Sequence, residues 1–135
     1  MKIKELVKKA HKMAKEKGFW EDEKRNIPEA LLLIISEVSE TTEALRKDKF
    51  APVHVVKDLY HDLELAVGDE EFNFNPGQWK ETFEKEVKNT FEDEIADTMI
   101  RLADLAGGLG IDLERHIKLK MHYNSTRGHK HGKKF

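Results

Sequence analysis

Apolar residues recur along most of this chain at helical rather than strand spacing. Between residues 2 and 18, Ile3, Leu6, Val7, Ala10 and Met13 fall on one face, lysines fill the other, and Gly18 is placed to end the turn. That spacing predicts an amphipathic first helix. After the connector FWEDEKRNI, Pro28 takes a favoured first helical position, and PEALLLIISEVSETTEALRKDK runs without a breaker to about residue 48. Its 30–35 stretch is apolar all round, which predicts a buried helix.

Residues 49–79 are harder to place. VHVVKDLYHDLELAVG has the composition of a short helix, whereas DEEFNFNPGQW has Asn-Pro-Gly turn chemistry and reads as a loop, so the region is expected to be an insertion between core helices. From about Glu81 to Ala106 the chain reads as one helix, with Phe83, Val87, Phe91, Ile95, Met99, Leu102 and Leu105 as its stripe and Gly107, Gly108 and Gly110 as its stop. A last helix is expected to start at Asp112 or just before it, to carry Ile117, Met121 and Tyr123, and to end before Arg127-Gly128. Nothing reads as a sheet. The expectation is an all-α single domain over residues 1–135, a helical bundle of about four helices, with 49–79 as a variable insertion.

Length and charge narrow the picture. A chain of 135 residues suits one hydrophobic core. Charged residues make up 37% of it, yet the formal net charge is only −2, so overall charge predicts no nucleic-acid partner. The C-terminal end is the exception, where Arg115, Lys118, Lys120, Arg127, Lys130, Lys133 and Lys134 gather. Cysteine is absent, which excludes thiol nucleophiles and thiolate zinc sites and fits a reducing, cytoplasmic setting. ALLLII is too short to span a membrane, and the lysine-rich start lacks the apolar core of a signal peptide, so a soluble protein is expected.

Two acidic pairs carry the chemistry. Glu37/Glu40 and Glu94/Asp97 are each spaced i, i+3 inside apolar helical segments, so each pair shares a helix face. Two such pairs facing each other would repel strongly unless they were protonated or neutralised by a hard cation. Most acid pairs at this spacing are solvated edges, and Glu81/Glu84 is one of them in a lysine-rich segment; Glu37 differs because it follows six apolar residues. Glu94, Asp97, Arg101 and Asp104 form a polar stripe whose plain alternative is a salt-bridged seam, Asp97 with Arg101. Glu43, Glu92 and Asp93 rank lower as additional ligands. Oxygen ligands favour Mg²⁺, with Mn²⁺ as a substitute, and Mg²⁺ is typically shared with substrate phosphates.

A phosphate ligand calls for donors. Lys120, Asn124 and Arg127 fall on one face of the last helix, although terminal charge runs are as often merely solvated. His129 and His131 lack a further ligand and are set aside as a transition-metal site. Trp20 is more often a core aromatic than a stacking platform but is kept as a substrate-binding candidate.

In combination, LLLIISEVSETTEALR, EDEIADTMIRLADLAGGLGIDLE and KMHYNSTRGHKHGKKF resemble the MazG-like branch of the all-α nucleoside triphosphate pyrophosphohydrolases, in order from about residue 28 to 134. The family pattern of Glu-x-x-Glu followed by Glu-x-x-Asp falls on Glu37, Glu40, Glu94 and Asp97, and Lys-x-x-Tyr-Asn-x-x-Arg falls on Lys120, Tyr123, Asn124 and Arg127. The resemblance implies Mg²⁺ held by the acids, substrate phosphates met by the basic and amide side chains, and hydrolysis of a nucleoside or deoxynucleoside triphosphate to the monophosphate and pyrophosphate, a nucleotide-pool house-cleaning activity. Glu37 or Glu40 is the expected general base. The segment 49–79 matches no family element, which leaves base preference open.

Helices this apolar in so short a chain favour a homo-oligomer, and the resemblance implies dimers or tetramers. Two rival readings remain: a non-enzymatic helical interaction module, and the same fold acting on a different nucleotide pyrophosphate substrate.

Overall fold

A computed structural model of the chain describes residues 1–21, 25–68 and 73–128. His129, Lys130, His131, Lys133, Lys134 and part of the 49–79 insertion lie outside the described residues. The described chain is all-helical, with six helices: α1 (Ile3–Glu16), α2 (Ile27–Arg46), α3 (Val53–Gly68), α4 (Pro76–Glu86), α5 (Phe91–Gly108) and α6 (Leu113–Ser125). None is long and apolar enough to cross a membrane. The helices form two compact units, Met1–Ala30 with Met99–Phe135, and Leu31–Thr98.

Helix ends follow local chemistry. Glu5 accepts from the backbone N–H of Lys2 at the start of α1, and Gly18, at φ 83°, ends the turn that follows it, a left-handed conformation that glycine takes without steric cost. Asn26 caps α2 by accepting from Glu29 N, and Asp48 at φ 54° closes the turn beyond its C-terminus. Asp112 accepts from Arg115 N and starts α6 where expected.

Three expectations about helix boundaries need correction. The first concerns 49–79: the helix expected over VHVVKDLYHDLELAVG is present as α3, but the Asn-Pro-Gly run, read as a loop, is a helix start, with Asn75 accepting from Gln78 N and Pro76 in the first turn of α4. The second concerns the helix expected from Glu81 to Ala106, which is broken at residues 87–90. Asn89 sits at φ 59°, Lys88 N closes back on Phe83 O at 2.9 Å, and Asn89 N donates to the Asp93 carboxylate at 2.9 Å. The apolar stripe runs through this break, which is why periodicity alone hides it.

The third concerns glycines. Gly107 and Gly108 lie within α5, and only Gly110, at φ 66°, adopts the left-handed turn. A Cβ on Gly108 would lie 1.8 Å from the Trp20 ring, and one on Gly107 would lie 2.7 Å from His11 Cβ, so these glycines make room for two side chains.

In the unit Leu31–Thr98, Ala51, Leu59 and Val87 form a buried cluster with Val55, Trp79 and Phe83 against it. Trp79 stacks on Phe83 and donates its indole N–H to Leu59 O at 3.0 Å, joining α4 to α3. The start of α5 is tied to the loop after α2, since Phe91 N donates to Lys49 O at 2.8 Å and Ala51 N donates to the Glu92 carboxylate at 2.9 Å. In the other unit α1 packs on α6. The all-round burial expected for residues 30–35 holds only for Ala30 and Ile34; Leu31, Leu32, Leu33 and Ile35 are exposed in the single chain.

Candidate metal centre

Glu37 on α2 and Glu94 and Asp97 on α5 converge. Each can offer one carboxylate oxygen such that all three atoms lie within 4.8 Å of one another. Glu37 and Glu94 are only 6% and 4% exposed, whereas Asp97 opens to solvent. The spacing of Glu94 and Asp97 puts both on one face of α5, and Thr90 O, accepting from Glu94 N at 3.0 Å, fixes the turn that delivers Glu94. The hydroxyls beside Glu37 are occupied within their own helix: Ser36, Ser39, Thr41 and Thr42 all donate to backbone carbonyls one turn back.

The electrostatics follow from this crowding. Burial, and after it the charges of Glu40, Glu37, Asp93 and Asp97, push the Glu94 carboxyl above the ordinary range. Two ionised carboxylate oxygens 4.8 Å apart repel by about 3 kcal/mol at an effective dielectric near 20, a cost that a cation removes. The donor set fits such a cation, because oxygen ligands at 2.0–2.6 Å from a six-coordinate ion lie within about 4–5 Å of each other. With no thiol in the chain and no histidine in the cluster, the set suits a hard divalent cation.

Glu40 stands outside this group of three. It is exposed, its charge reaches Glu94, and with Glu43, Ala44, Lys47, Lys49, Asn89 and Glu94 it lines a cleft of about 220 Å³. The lower-ranked acids have local tasks. Lys47 first, then Arg46, hold the Glu43 carboxyl below its ordinary value through ion pairs at 3.2 and 3.1 Å. Glu92 receives Ala51 N and Asp93 receives Asn89 N, and burial, the largest influence on Asp93, pushes its carboxyl up.

Lys120, Tyr123, Asn124 and Arg127 belong to the other unit, on α6 and just beyond it. They gather around one ring: Lys120 Nζ stands 4.9 Å and the Arg127 guanidinium 5.8 Å from the centre of Tyr123. Asn124 Oδ1 is a buried acceptor without a hydrogen-bond partner among the described residues.

Trp20 is tied into a cluster that the sequence did not reveal. Its indole N–H donates to Asp104 Oδ1 at 2.8 Å, His11 Nδ1 lies 3.0 Å from the same oxygen, and Arg25 donates to Oδ2 at 2.8 Å. The Arg25 guanidinium also lies 4.5 Å from the Trp20 ring centre, and His11 meets the ring edge-on at 4.9 Å. The available signal was Asp104 standing in an apolar stretch just before Gly107-Gly108. Compared with known proteins, the chain matches no family model, no curated protein and no solved structure at a significant level.

Proposed function

We propose that this chain is a Mg²⁺-dependent hydrolase that cleaves nucleoside or deoxynucleoside triphosphates to the monophosphate and pyrophosphate, the activity of the MazG-like enzymes it resembles. The observation that carries this reading is the convergence of Glu37, Glu94 and Asp97 from two helices, two of them buried, with the Glu94 carboxyl pushed up by its neighbours. Glu37, Glu94 and Asp97 hold the cation. Once bound there, Mg²⁺ supplies phosphate neutralisation and a more acidic water. Glu40, exposed beside these three and lining the same cleft as Glu94, takes the proton of the attacking water. The resemblance gives Lys120 and Arg127 the task of meeting phosphate charge, and Tyr123 and Asn124 that of positioning a substrate.

The protein works in the cytoplasm as a homodimer or homotetramer in this reading. Support comes from the balance of apolar surface: the buried core is mostly alanine with Ile34, Leu59, Val87 and Leu105, while Leu31, Leu32, Leu33, Ile35, Val38 and Leu45 of α2 stay exposed in one copy. The test is incubation with a panel of canonical and damaged nucleoside triphosphates, with and without Mg²⁺, beside the double variant Glu37→Gln/Asp97→Asn. Mg²⁺-dependent release of pyrophosphate, lost in a variant that still melts cooperatively, is the expected result. No turnover by folded wild type, with no Mg²⁺-linked rise in melting temperature, favours a helical interaction module instead.

A further inference from the structure

Helix α3 carries two apolar faces, and the single chain uses one. Val55 and Leu59 pack into the cluster with Val87, Trp79 and Phe83. Val53, Val56, Tyr60, Leu63 and Val67, by contrast, are all exposed. Their spacing is three, four, three, four, the heptad seam along which one helix receives another. The stripe covers nearly four turns, about 21 Å at 1.5 Å per residue. Beside it, Val56, Leu59, Tyr60 and Leu63 border an apolar groove of about 160 Å³ closed by Trp79, Phe83 and Val87, which widens the surface a partner helix would fill.

The flanking residues say which partner fits. Lys57 and Glu64 occupy the same flank of the seam one heptad apart, and both are exposed. Seven residues separate them by about 10 Å along the axis, too far for an ion pair within one helix. The opposite flank holds Leu59, which is buried, and Ala66, which is exposed, and neither offers charge. A parallel copy of α3 would set each charged flank against this uncharged one. An antiparallel copy sets like flanks together, so Lys57 of each chain meets Glu64 of the other, twice by symmetry, with Tyr60 near the two-fold axis.

We infer that α3 pairs with α3 of a second copy of this chain, antiparallel, through Val53, Val56, Tyr60, Leu63 and Val67, with Lys57 and Glu64 setting the direction. The interface is isologous and lies wholly on the helix inserted between the two acidic pairs, so it stands whether or not the hydrolase reading does.

The chain has no cysteine, so single thiols report geometry cleanly. The full-length variants Tyr60→Cys and Val53→Cys are treated with a short bis-maleimide. Antiparallel pairing about Tyr60 places the two copies of position 60 side by side and the two copies of position 53 on the order of 20 Å apart. Tyr60→Cys should therefore form covalent dimer at least tenfold faster than Val53→Cys. Adding Lys57→Glu or Glu64→Lys to Tyr60→Cys should each slow cross-linking roughly tenfold, because two like-charge contacts replace two attractive ones, and adding both should restore it. Equal cross-linking at both positions overturns the antiparallel arrangement. Absence of cross-linking at position 60, or absence of rescue in the double charge reversal, overturns pairing through α3. All four side chains are exposed in the single chain, and far-UV circular dichroism of each variant verifies that the fold is kept.

Discussion

The molecule buries carboxylates in two contrasting ways. Asp104 is surrounded by donors, the indole of Trp20, the guanidinium of Arg25 and the imidazole of His11, so both of its oxygens have partners within 3.0 Å. Glu94 is surrounded by acids, and burial together with Glu40, Glu37, Asp93 and Asp97 raises its affinity for a proton. Donors around a carboxylate make a fixed structural tie. Acids around one leave a surplus of negative charge, which a proton or a cation relieves. The difference separates a carboxylate whose charge is matched within the fold from carboxylates whose charge is left to be relieved.

Removing the charge of Asp104 should have the larger effect on stability. Asp104→Asn puts an amide N–H₂ against Arg25 or against the Trp20 and His11 donors, and breaking a buried pair of this kind costs about 3 kcal/mol, roughly 10 °C in a thermal melt. The loss should be equal with and without Mg²⁺. A loss that Mg²⁺ restores would erase the contrast, because Asp104 would then belong to the ion-binding set.

Glu94→Gln should behave in the opposite sense. The folded chain binds the Glu94 proton more tightly than the unfolded chain does, so the ionised carboxylate opposes folding. Metal-free protein should accordingly lose stability as pH rises from the ordinary carboxylate range through the raised value, a slope to be read from melts in chelator between about pH 5 and pH 8. Glu94→Gln should flatten that slope and match or exceed wild type at the upper end. In the hydrolase reading the same change removes a ligand and lowers Mg²⁺-dependent turnover by about a hundredfold or more. If it destabilises the metal-free protein at neutral pH, the crowded-acid account is wrong.

The convergence of Glu37, Glu94 and Asp97 was legible in the sequence, though Glu40, expected with them, stands outside the group, and the Asp104 cluster was not legible, for a physical reason. Glu37, Glu94 and Asp97 announce themselves through local spacing, acids one turn apart in apolar helix. Arg25 and His11 reach Asp104 across 79 and 93 positions of chain, and no local pattern encodes a contact that distant. Gly107 and Gly108 carried part of the signal but read as a helix stop, because a glycine that admits a neighbouring ring looks in sequence like one that ends a helix. All-α character was legible from periodicity. The exposure of Leu31, Leu32, Leu33 and Ile35 was not, since an all-round apolar run predicts burial without naming what would cover each face.

The smallest expected effect concerns how Glu94 is delivered to its neighbours. Asn89 breaks the helical run at φ 59°, a conformation that costs most residues about 1 kcal/mol and that glycine and asparagine adopt readily. Its N–H is held by Asp93, and the next residue, Thr90, accepts from Glu94 N, so the break sets where α5 begins and which way Glu94 points. Asn89→Ala should therefore lose about 1 kcal/mol in a urea melt, while Asn89→Gly stays within about 0.5 kcal/mol of wild type. The two variants should differ again in a Mg²⁺ titration followed by melting temperature, with the alanine variant needing severalfold more Mg²⁺ for the same shift because strain relieved by fraying α5 moves Glu94 away from Glu37 and Asp97. Equal titrations from variants of unequal stability would show that the acids hold their arrangement without the Asn89 turn, and that the convergence of α2 and α5 is fixed by packing alone.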